Sequence, residues 1–210
     1  MKDVDFFLIK NKYVGAGGEA IVDNAVTQTT AGIDFGKFSA GLWSNYDMKR
    51  GKLNEVDVFG GIPIETKNVN LSIDAGIFAY PNSSYNEDGE VGLTLCSKDL
   101  PLDFSVYAGQ AFTDGLSRSA GRIFKIGAGK TIALGDNINF TPKVSVTAQN
   151  RYFGNEIGFS HVNLEGCLSV SLGKNFGLSV HAGYQHPIDE KRFPNVENTL
   201  ITGVGLNFNY

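Results

Sequence analysis

The sequence predicts an all-β protein, a transmembrane up-and-down antiparallel β-barrel of about 12 strands with short periplasmic turns and longer extracellular loops. Three observations predict it. Segments of roughly ten residues alternate between apolar and polar side chains, which is the period of a strand with two different faces. The breaks between them alternate between tight turns and longer polar stretches. Aromatic residues gather near the ends of the segments.

Composition narrows the class of protein. The chain has 210 residues, 42% of them hydrophobic, and a mean hydropathy of -0.10. Nowhere does an apolar run approach the roughly 18–20 residues of a spanning helix, so a helical membrane protein is excluded. We expect residues 1–210 to form one domain. The net charge of -4 argues against nucleic acid as a partner.

The alternation places the strands in order along the chain. The first strand is ambiguous in parity, because Phe6, Phe7, Leu8 and Ile9 are all apolar. The last strand shows the pattern most cleanly: from Leu200 onward one face is apolar and the other is small or polar. The expected strands lie near 4–14, 24–35, 38–47, 54–64, 69–80, 90–97, 102–110, 121–133, 138–150, 161–172, 176–185 and 200–210.

The connections fall into two classes that strictly alternate. The short ones lie near 36–37, 65–68, 98–101, 134–137 and 173–175. The long ones lie near 15–23, 48–53, 81–89, 112–120, 151–158 and 187–196. With both termini on the short-turn side, this alternation requires an even number of strands.

Alternation alone would also fit a soluble barrel with its apolar residues inside. Two observations favour apolar residues outside. Charged residues are 19% of the chain, below the roughly 25–35% of a soluble surface. The central stretches of the apolar face carry almost no charge, as lipid requires, because Lys or Arg at mid-depth costs about 2–4 kcal/mol. The aromatic residues expected at the membrane interfaces are Phe35, Phe38, Phe104, Phe140, Phe176, Tyr184, Phe208 and Tyr210.

The chain ends on alternating aromatic residues, Phe208 and Tyr210, as bacterial outer-membrane barrels characteristically do. We therefore expect the bacterial outer membrane as the location, with its lipids and its assembly machinery as partners, the latter through this strand. Residues 1–5 lack the basic and apolar regions of a signal peptide, so the sequence is interpreted as a mature chain without one.

Three segments resemble landmarks of an uncharacterised family of small bacterial outer-membrane β-barrel proteins: 36–47 (GKFSAGLWSNYD), 80–83 (YPNS) and 158–161 (GFSH). In length and strand number the chain is also similar to narrow porins of the oligogalacturonate type. That resemblance implies a pore lined by arginines. Here Arg118, Arg122, Arg151 and Arg192 fall in or beside loops.

Parity assigns a polar, mixed-charge face to the lumen. The residues predicted to line a pore are Asp34, Asp57, Asp74, Glu90, Asp103, Lys125, Lys143, His161, Glu165 and His181. One hypothesis is a narrow porin-like channel for small solutes or ions with a mild cation preference. The alternative is a structural or adhesive barrel whose lumen is plugged by Asp/Glu–Lys pairs.

Chemistry beyond transport has little support in the sequence. A hairpin centred on Lys174 places Cys167 opposite His181 with Glu165 diagonal, but a metal site usually has three or four ligands. Cys96 lies four strands from Cys167, so both are expected to be reduced. An outer-membrane lipid hydrolase is the remaining alternative, with His186 as its candidate base. We expect no enzyme, no cofactor and no metal.

Overall fold

The computed structural model describes residues 2–10, 12–82, 87–98, 100–114, 117–152 and 154–209. Within them the chain is all-β. The strands are β1 (Lys2–Ile9), β2 (Tyr13–Val14), β3 (Ala20–Val22), β4 (Val26–Asp34), β5 (Ser39–Asp47), β6 (Lys52–Glu65), β7 (Val69–Ala79), β8 (Asp88–Ser97), β9 (Asp103–Thr113), β10 (Arg118–Gly129), β11 (Ile132–Gly135), β12 (Ile138–Asn150), β13 (Ile157–Ser171), β14 (Phe176–Pro187) and β15 (Thr199–Asn209).

Twelve strands form a closed antiparallel barrel. Each pairs with its neighbours in chain order, β1 pairs with β15, and β10 pairs with β12. Strand β11 continues β10 along the same neighbour, β12. Gly129 of β10 pairs with Lys143 of β12, and Ile132 of β11 pairs with Phe140 of β12 in the same register. Closure leaves no unpaired sheet edge, which is the condition for a sheet surrounded by lipid. The predicted fold class and strand number are confirmed.

The outward face of the wall is predominantly apolar. On β10, the Ile126 side chain is 60% exposed, whereas Ile123, on the inward parity, is 2% exposed. Ile126 pairs with Val106 on one side and with Val146 on the other, so cross-strand register carries the apolar face from strand to strand. A surface of this kind is stable only against another apolar phase.

The inward face is made of small, polar and charged side chains. On β14 and β15 it includes Gly177, Ser179 and Gly205, and the buried Gln185. Buried polar groups cluster toward the ends of the strands that carry the longer loops, hereafter the loop end; the opposite end is the short-turn end. The interior at the loop end is therefore the packed part of the molecule.

Aromatic residues ring the short-turn end on the outward side. Phe35 and Phe38 stack with ring centroids 4.5 Å apart across the first short turn. Phe176 and Phe208 pair across β14 and β15 at 4.9 Å. Tyr210 lies outside the described residues. The belt matches the expected interfacial girdle at this end.

The structure corrects the sequence-based expectations at the first strand and at two loops. The first strand ends at Ile9 rather than near residue 14, and its even residues point outward, with Phe6 49% and Leu8 40% exposed. Two connections expected to be long are short, because β5 and β6 are separated only by residues 48–51, and β9 and β10 only by 114–117. The Gly and Asp residues near the ends of these strands indicate loops in the sequence, but in the structure the strands extend into both of the segments expected to be loops.

In the described part of the chain, no helix has both the length and the apolar character needed to cross a membrane.

A charge introduced on the outward face tests its contact with lipid. We expect Ile126→Lys to lower the free energy of unfolding in liposomes by about 2–4 kcal/mol, because an ammonium at mid-depth loses its hydration. Urea unfolding followed by tryptophan fluorescence measures this change. The matched control is Ser105→Lys, an inward position beside Gly127 at similar depth, which should cost much less. Equal losses in the two variants would contradict the assignment of faces.

Candidate pore constriction

A hairpin from the first loop crosses the loop end of the barrel. This mouth hairpin, residues 12–22, contains β2 and β3 and lies between wall strands β1 and β4. On one side the Tyr13 ring packs against Trp43 of β5, with centroids 5.4 Å apart and planes at 42°. The Tyr13 hydroxyl also lies near Glu55 of β6, close enough for the two groups to interact electrostatically.

The tip of the mouth hairpin reaches strands on the other side of the lumen. The Gln185 side-chain amide of β14 donates to the Gly18 carbonyl at 2.7 Å, and the Gln149 amide of β12 donates to the Gly17 carbonyl. Gly18 has a φ of 89°, and a Cβ there would lie 2.5 Å from Nδ1 of His161. The close approach and the left-handed backbone both require glycine at this position.

His161 is held rigidly beneath the hairpin tip. The register of β12 and β13 shifts between Thr147 and Ala148, and this bulge buries both Ser160 and His161. Ser160 Oγ donates to the Thr147 carbonyl at 3.2 Å and lies 3.0 Å from His161 Nδ1. The bulge thereby turns the imidazole into the packing surface for Gly18.

The last loop braces the mouth hairpin from outside. Glu19 forms a bridge with Val196, and the Lys12 ammonium lies 3.0 Å from Glu197 and 3.4 Å from Asp23. Val196 is 3% exposed. A hairpin anchored to β5, β6, β12, β14 and the last loop is a fixed part of the fold.

The hydrogen-bonding groups of the hairpin keep their protonation over a wide pH range. Burial, followed by the charge of Glu55, raises the pKa of the Tyr13 phenol, so it remains a hydrogen-bond donor. The hydrogen bond with Glu197 raises the pKa of Lys12, so its ammonium remains charged.

Geometry makes the hairpin a constriction. Twelve strands about 4.8 Å apart, tilted by about 40°, give a barrel roughly 24 Å across between opposite backbones. Inward side chains from both walls leave about 10 Å of that width, which is also the thickness of a β-ribbon with its side chains. A hairpin lying across this opening therefore fills most of it.

All ten predicted pore-lining residues occupy inward positions in the register. Their distribution around the barrel is uneven. Acidic residues dominate the middle of β6 to β8, with Asp57, Asp74 and Glu90, whereas Lys125 and Lys143 lie on β10 and β12. Asp34 and Asp103 lie at the short-turn end, Glu165 pairs with Lys143 on β13, and His161 and His181 belong to β13 and β14. A role in conduction stays a prediction for all of them.

Among the described residues, no ion pair crosses the lumen below the loop end. Every ion pair among the described residues lies at the loop end, joining Lys12, Asp47–Arg50, Asp114–Arg118 and Asp189–Arg192. Lys125 and Lys143 form none within the part of the chain that the structure describes. The narrowing at the loop end comes from the mouth hairpin, while Lys143 and Glu165 are cross-strand neighbours in the wall.

The inward-facing carboxylates of β6 to β8 receive hydrogen bonds from the protein at only some of their oxygens. Asp74 accepts hydrogen bonds from Thr94 at 2.7 Å and from Ser72 at 2.9 Å, and Glu90 accepts one from the Tyr107 hydroxyl. One oxygen each of Glu55, Asp57 and Glu90 is buried without a hydrogen-bond partner in the protein. Such oxygens attract cations and hydrogen-bond donors.

Cys167 and His181 are neighbours, as their spacing about the hairpin predicted. Their Sγ and Nε2 atoms are 3.4 Å apart, and the edge of the Phe7 ring meets the imidazole at 5.0 Å. Among the described residues no group of three or more His, Cys, Asp or Glu side chains is placed to hold a metal ion. Cys96 and Cys167 are free thiols. Contacts with Phe7 and Cys167 make His181 part of the packed wall.

His186 points outward at the loop end. Its Nδ1 lies 2.7 Å from Oδ1 of Asn198, which also accepts a hydrogen bond from the Tyr184 hydroxyl at 2.9 Å. The residue opposite His186 in the register is Val162. The hydrogen bonds of the described residues give His186 an orienting amide but no serine nucleophile.

Sequence reasoning missed the mouth hairpin and the aromatic residues that hold it. The segment 15–23 has the Gly and charged residues of a solvated loop, and nothing in its composition indicates an inward path. The sequence does indicate that Trp43 lies on the inward face of its strand, opposite Asp57. This inward position is the one signal of a packing role for Trp43.

The fold is shared with solved outer-membrane barrels. A KdgM porin in complex with disordered oligogalacturonate superposes with a TM-score of 0.67 at 9% identity, covering 99% of both chains. A NanC porin gives 0.62 at 11% identity over 100% of both chains. An outer-membrane channel from Pseudomonas putida F1 gives 0.58 at 8% identity, over 100% of this chain and 95% of that one. No protein-family model and no curated protein sequence matches the chain.

These comparisons establish similarity of architecture. At 8–11% identity the proteins share the closed barrel fold, and this likeness does not extend to the residues that line the lumen. The resemblance to narrow oligogalacturonate-type porins is confirmed at this level. The protein therefore has the fold of bacterial outer-membrane porins.

A substitution at the hairpin tip tests the anchoring. We expect Gly18→Val to displace the mouth hairpin, because the side chain would meet His161 as well as an unfavourable φ. Hydrogen exchange and protease cleavage within residues 12–22 should become faster while the barrel stays folded. Gly36→Val is the matched control, since Gly36 also has a positive φ of 80° but a Cβ there meets nothing within 4 Å. Unchanged exchange in the Gly18 variant would contradict the contact.

Proposed function

We propose that the protein is a narrow channel of the bacterial outer membrane, that it passes small solutes and ions, and that it has a mild preference for cations. The observation that carries this proposal is the acidic, inward-facing side of β6 to β8 with no ion pair to the wall lysines among the described residues. Unpaired charges facing a water-filled lumen act on whatever passes.

The preference follows from the balance of charge along the lumen. Glu55, Asp57, Asp74 and Glu90 face inward on neighbouring strands, and Lys125 and Lys143 face inward on β10 and β12. Low-dielectric walls concentrate such a field, which raises the local concentration of counter-ions. Salt screens it over about 10 Å at 0.1 M, so the selectivity is mild and falls with ionic strength.

Acidic oligosaccharides fit this lumen poorly, in spite of the shared fold. The arginines of the chain lie in loops or at the loop end of β10: Arg50, Arg118, Arg122, Arg151 and Arg192. Arg122 pairs with Gln110 and Asn150 on the outward face. A polyanion would meet mainly carboxylates below the mouth, and like charges repel it.

Two other functions have less support. A purely structural or adhesive barrel would use its mouth hairpin as a plug and would contact partners through apolar residues of its loops, for which the candidates are Tyr152, Phe153, Ile157, Ile188 and Phe193. Tyr152 is 8% and Phe193 is 4% exposed, so both pack inside the mouth, and Phe153 lies outside the described residues. A lipid hydrolase would need a nucleophile beside His186.

The direction of insertion and the assembly route are part of the proposal. The short-turn end, where both termini lie, would face the periplasm, and the mouth hairpin would lie on the extracellular side. The outward Phe208 of β15 would belong to the signal read by the assembly machinery. Deleting residues 208–210 should then leave the chain unassembled in outer-membrane fractions.

Selectivity in planar bilayers tests the channel directly. We expect discrete conductance, and a reversal potential under a KCl gradient that shows K⁺ passing more readily than Cl⁻. The double variant Asp57→Asn with Asp74→Asn should move that potential toward zero, because it removes two inward charges. Asp136→Asn, in an exposed short turn, is the charge-matched control and should leave the potential unchanged. Absence of discrete conductance would contradict the proposal.

Removing the constriction is the second test. Replacement of residues 13–22 by a short Gly-Ser linker should raise single-channel conductance several-fold, because the hairpin fills most of the opening at the loop end. A Gly-Ser replacement of Met48 and Lys49, in the loop between β5 and β6, controls for loop engineering and should change little. Equal conductance with and without the hairpin would show that the narrowest point lies elsewhere.

A further inference from the structure

One row of the inner wall alternates aromatic rings with carboxylates. Trp43 on β5 pairs with Asp57 on β6, Asp57 with Phe78 on β7, and Phe78 with Asp88 on β8. Directly opposed residues of an antiparallel sheet have Cβ atoms about 4.5–5.5 Å apart, so each carboxylate lies beside at least one ring. We call these four residues the acid–aromatic row.

The row lies at the constriction. The ring of Tyr13 in the mouth hairpin packs on Trp43 at 5.4 Å. Glu55, the next inward residue of β6 toward the loop end, is 5% exposed, and its Oε2 has no hydrogen-bond partner in the protein. Asp57 Oδ1 is likewise buried and unpartnered. A cation that crosses the narrowed mouth therefore passes a wall that carries the negative charges of Glu55 and Asp57, each with one oxygen that no protein hydrogen bond satisfies.

Carboxylates beside ring faces recognise a particular kind of cation. The π face of an indole or phenyl ring attracts a weakly hydrated cation, such as an alkylammonium or a guanidinium, and a carboxylate supplies the counter-charge and accepts its N–H groups. Strongly hydrated metal ions gain little from rings, and the described residues hold no group of three or more side chains placed to ligate one. Lys125 and Lys143 lie on other strands, β10 and β12, and Lys52, at the loop end of β6, pairs in the register with Asp47.

We infer that the acid–aromatic row is a binding site for small organic cations bearing ammonium or guanidinium groups, so that these are the solutes the channel favours. The inference rests on the proposed channel for its physiological role. Binding itself does not depend on conduction, so the two can be tested separately.

The chain offers a direct optical readout of binding, because Trp43 is its single tryptophan. Detergent-folded protein is titrated with methylguanidinium chloride at constant ionic strength, with N-methylurea as the uncharged analogue of nearly the same shape. We expect a saturable change in tryptophan emission with methylguanidinium and none with N-methylurea. Asp57→Asn should weaken the apparent affinity roughly two- to five-fold, the size of one charge-assisted contact at a partly exposed site. Asp136→Asn should leave it unchanged.

The second experiment measures how readily organic cations permeate the channel. In bilayers the permeability of methylguanidinium relative to K⁺ should exceed the ratio of their mobilities in water, and Trp43→Leu should lower it roughly two- to five-fold. Phe78→Leu serves the same purpose if the Trp43 variant does not fold. Equal emission changes with methylguanidinium and N-methylurea, or equal affinity in the Asp57 and Asp136 variants, would overturn the site. A barrel that binds methylguanidinium but carries no current would overturn only the channel.

Discussion

The structure depends on one constraint: in hydrocarbon, every peptide N–H and C=O must find its partner within the protein. Closure of the sheet through the β1–β15 and β10–β12 pairings satisfies this constraint for the backbone of the barrel wall. Once the sheet is closed, each strand has one face toward the exterior and one toward the lumen, with a period of two residues. The outward apolar face and the inward polar face are consequences of this geometry.

A closed wall creates a second problem, because its lumen is too narrow to be an open pore of the porin size and too wide for wall side chains to fill. This protein fills the loop end with backbone from its own first loop. The mouth hairpin satisfies buried polar groups of the barrel wall, including the side-chain amides of Gln149 and Gln185. Below it, small inward residues such as Ser169 and Gly177 leave room, and a cavity of ≈ 340 Å³ opens at the short-turn end beside Asp5, Lys174 and Asn207. Packing is concentrated at the mouth, and so is the chemistry that a solute would meet.

The sequence was a good guide wherever periodicity decided the structure. The inward parity of Asp74, Lys125 and Glu165, and the contact of Cys167 with His181, follow from counting residues along strands. It was a poor guide where both faces are apolar. Phe7 and Ile9 point inward, because the ring of Phe7 packs on His181 and covers Gly205, which no local pattern reveals. The sequence does not predict the mouth hairpin, because a loop that folds inward onto polar wall residues has the same composition as a loop that extends into water.

The central claim is that lipid lies outside the wall and water lies inside it. The most direct measurement is a spin-label scan of residues 162–170 on β13, one site at a time in liposomes, with the native cysteines replaced by serine. The account predicts that labels at 162, 164, 168 and 170 collide with oxygen dissolved in the bilayer. Labels at 163, 165 and 169 should instead collide with a water-soluble nickel complex or be immobilised. Loss of the period of two residues, or its inversion, would contradict the account.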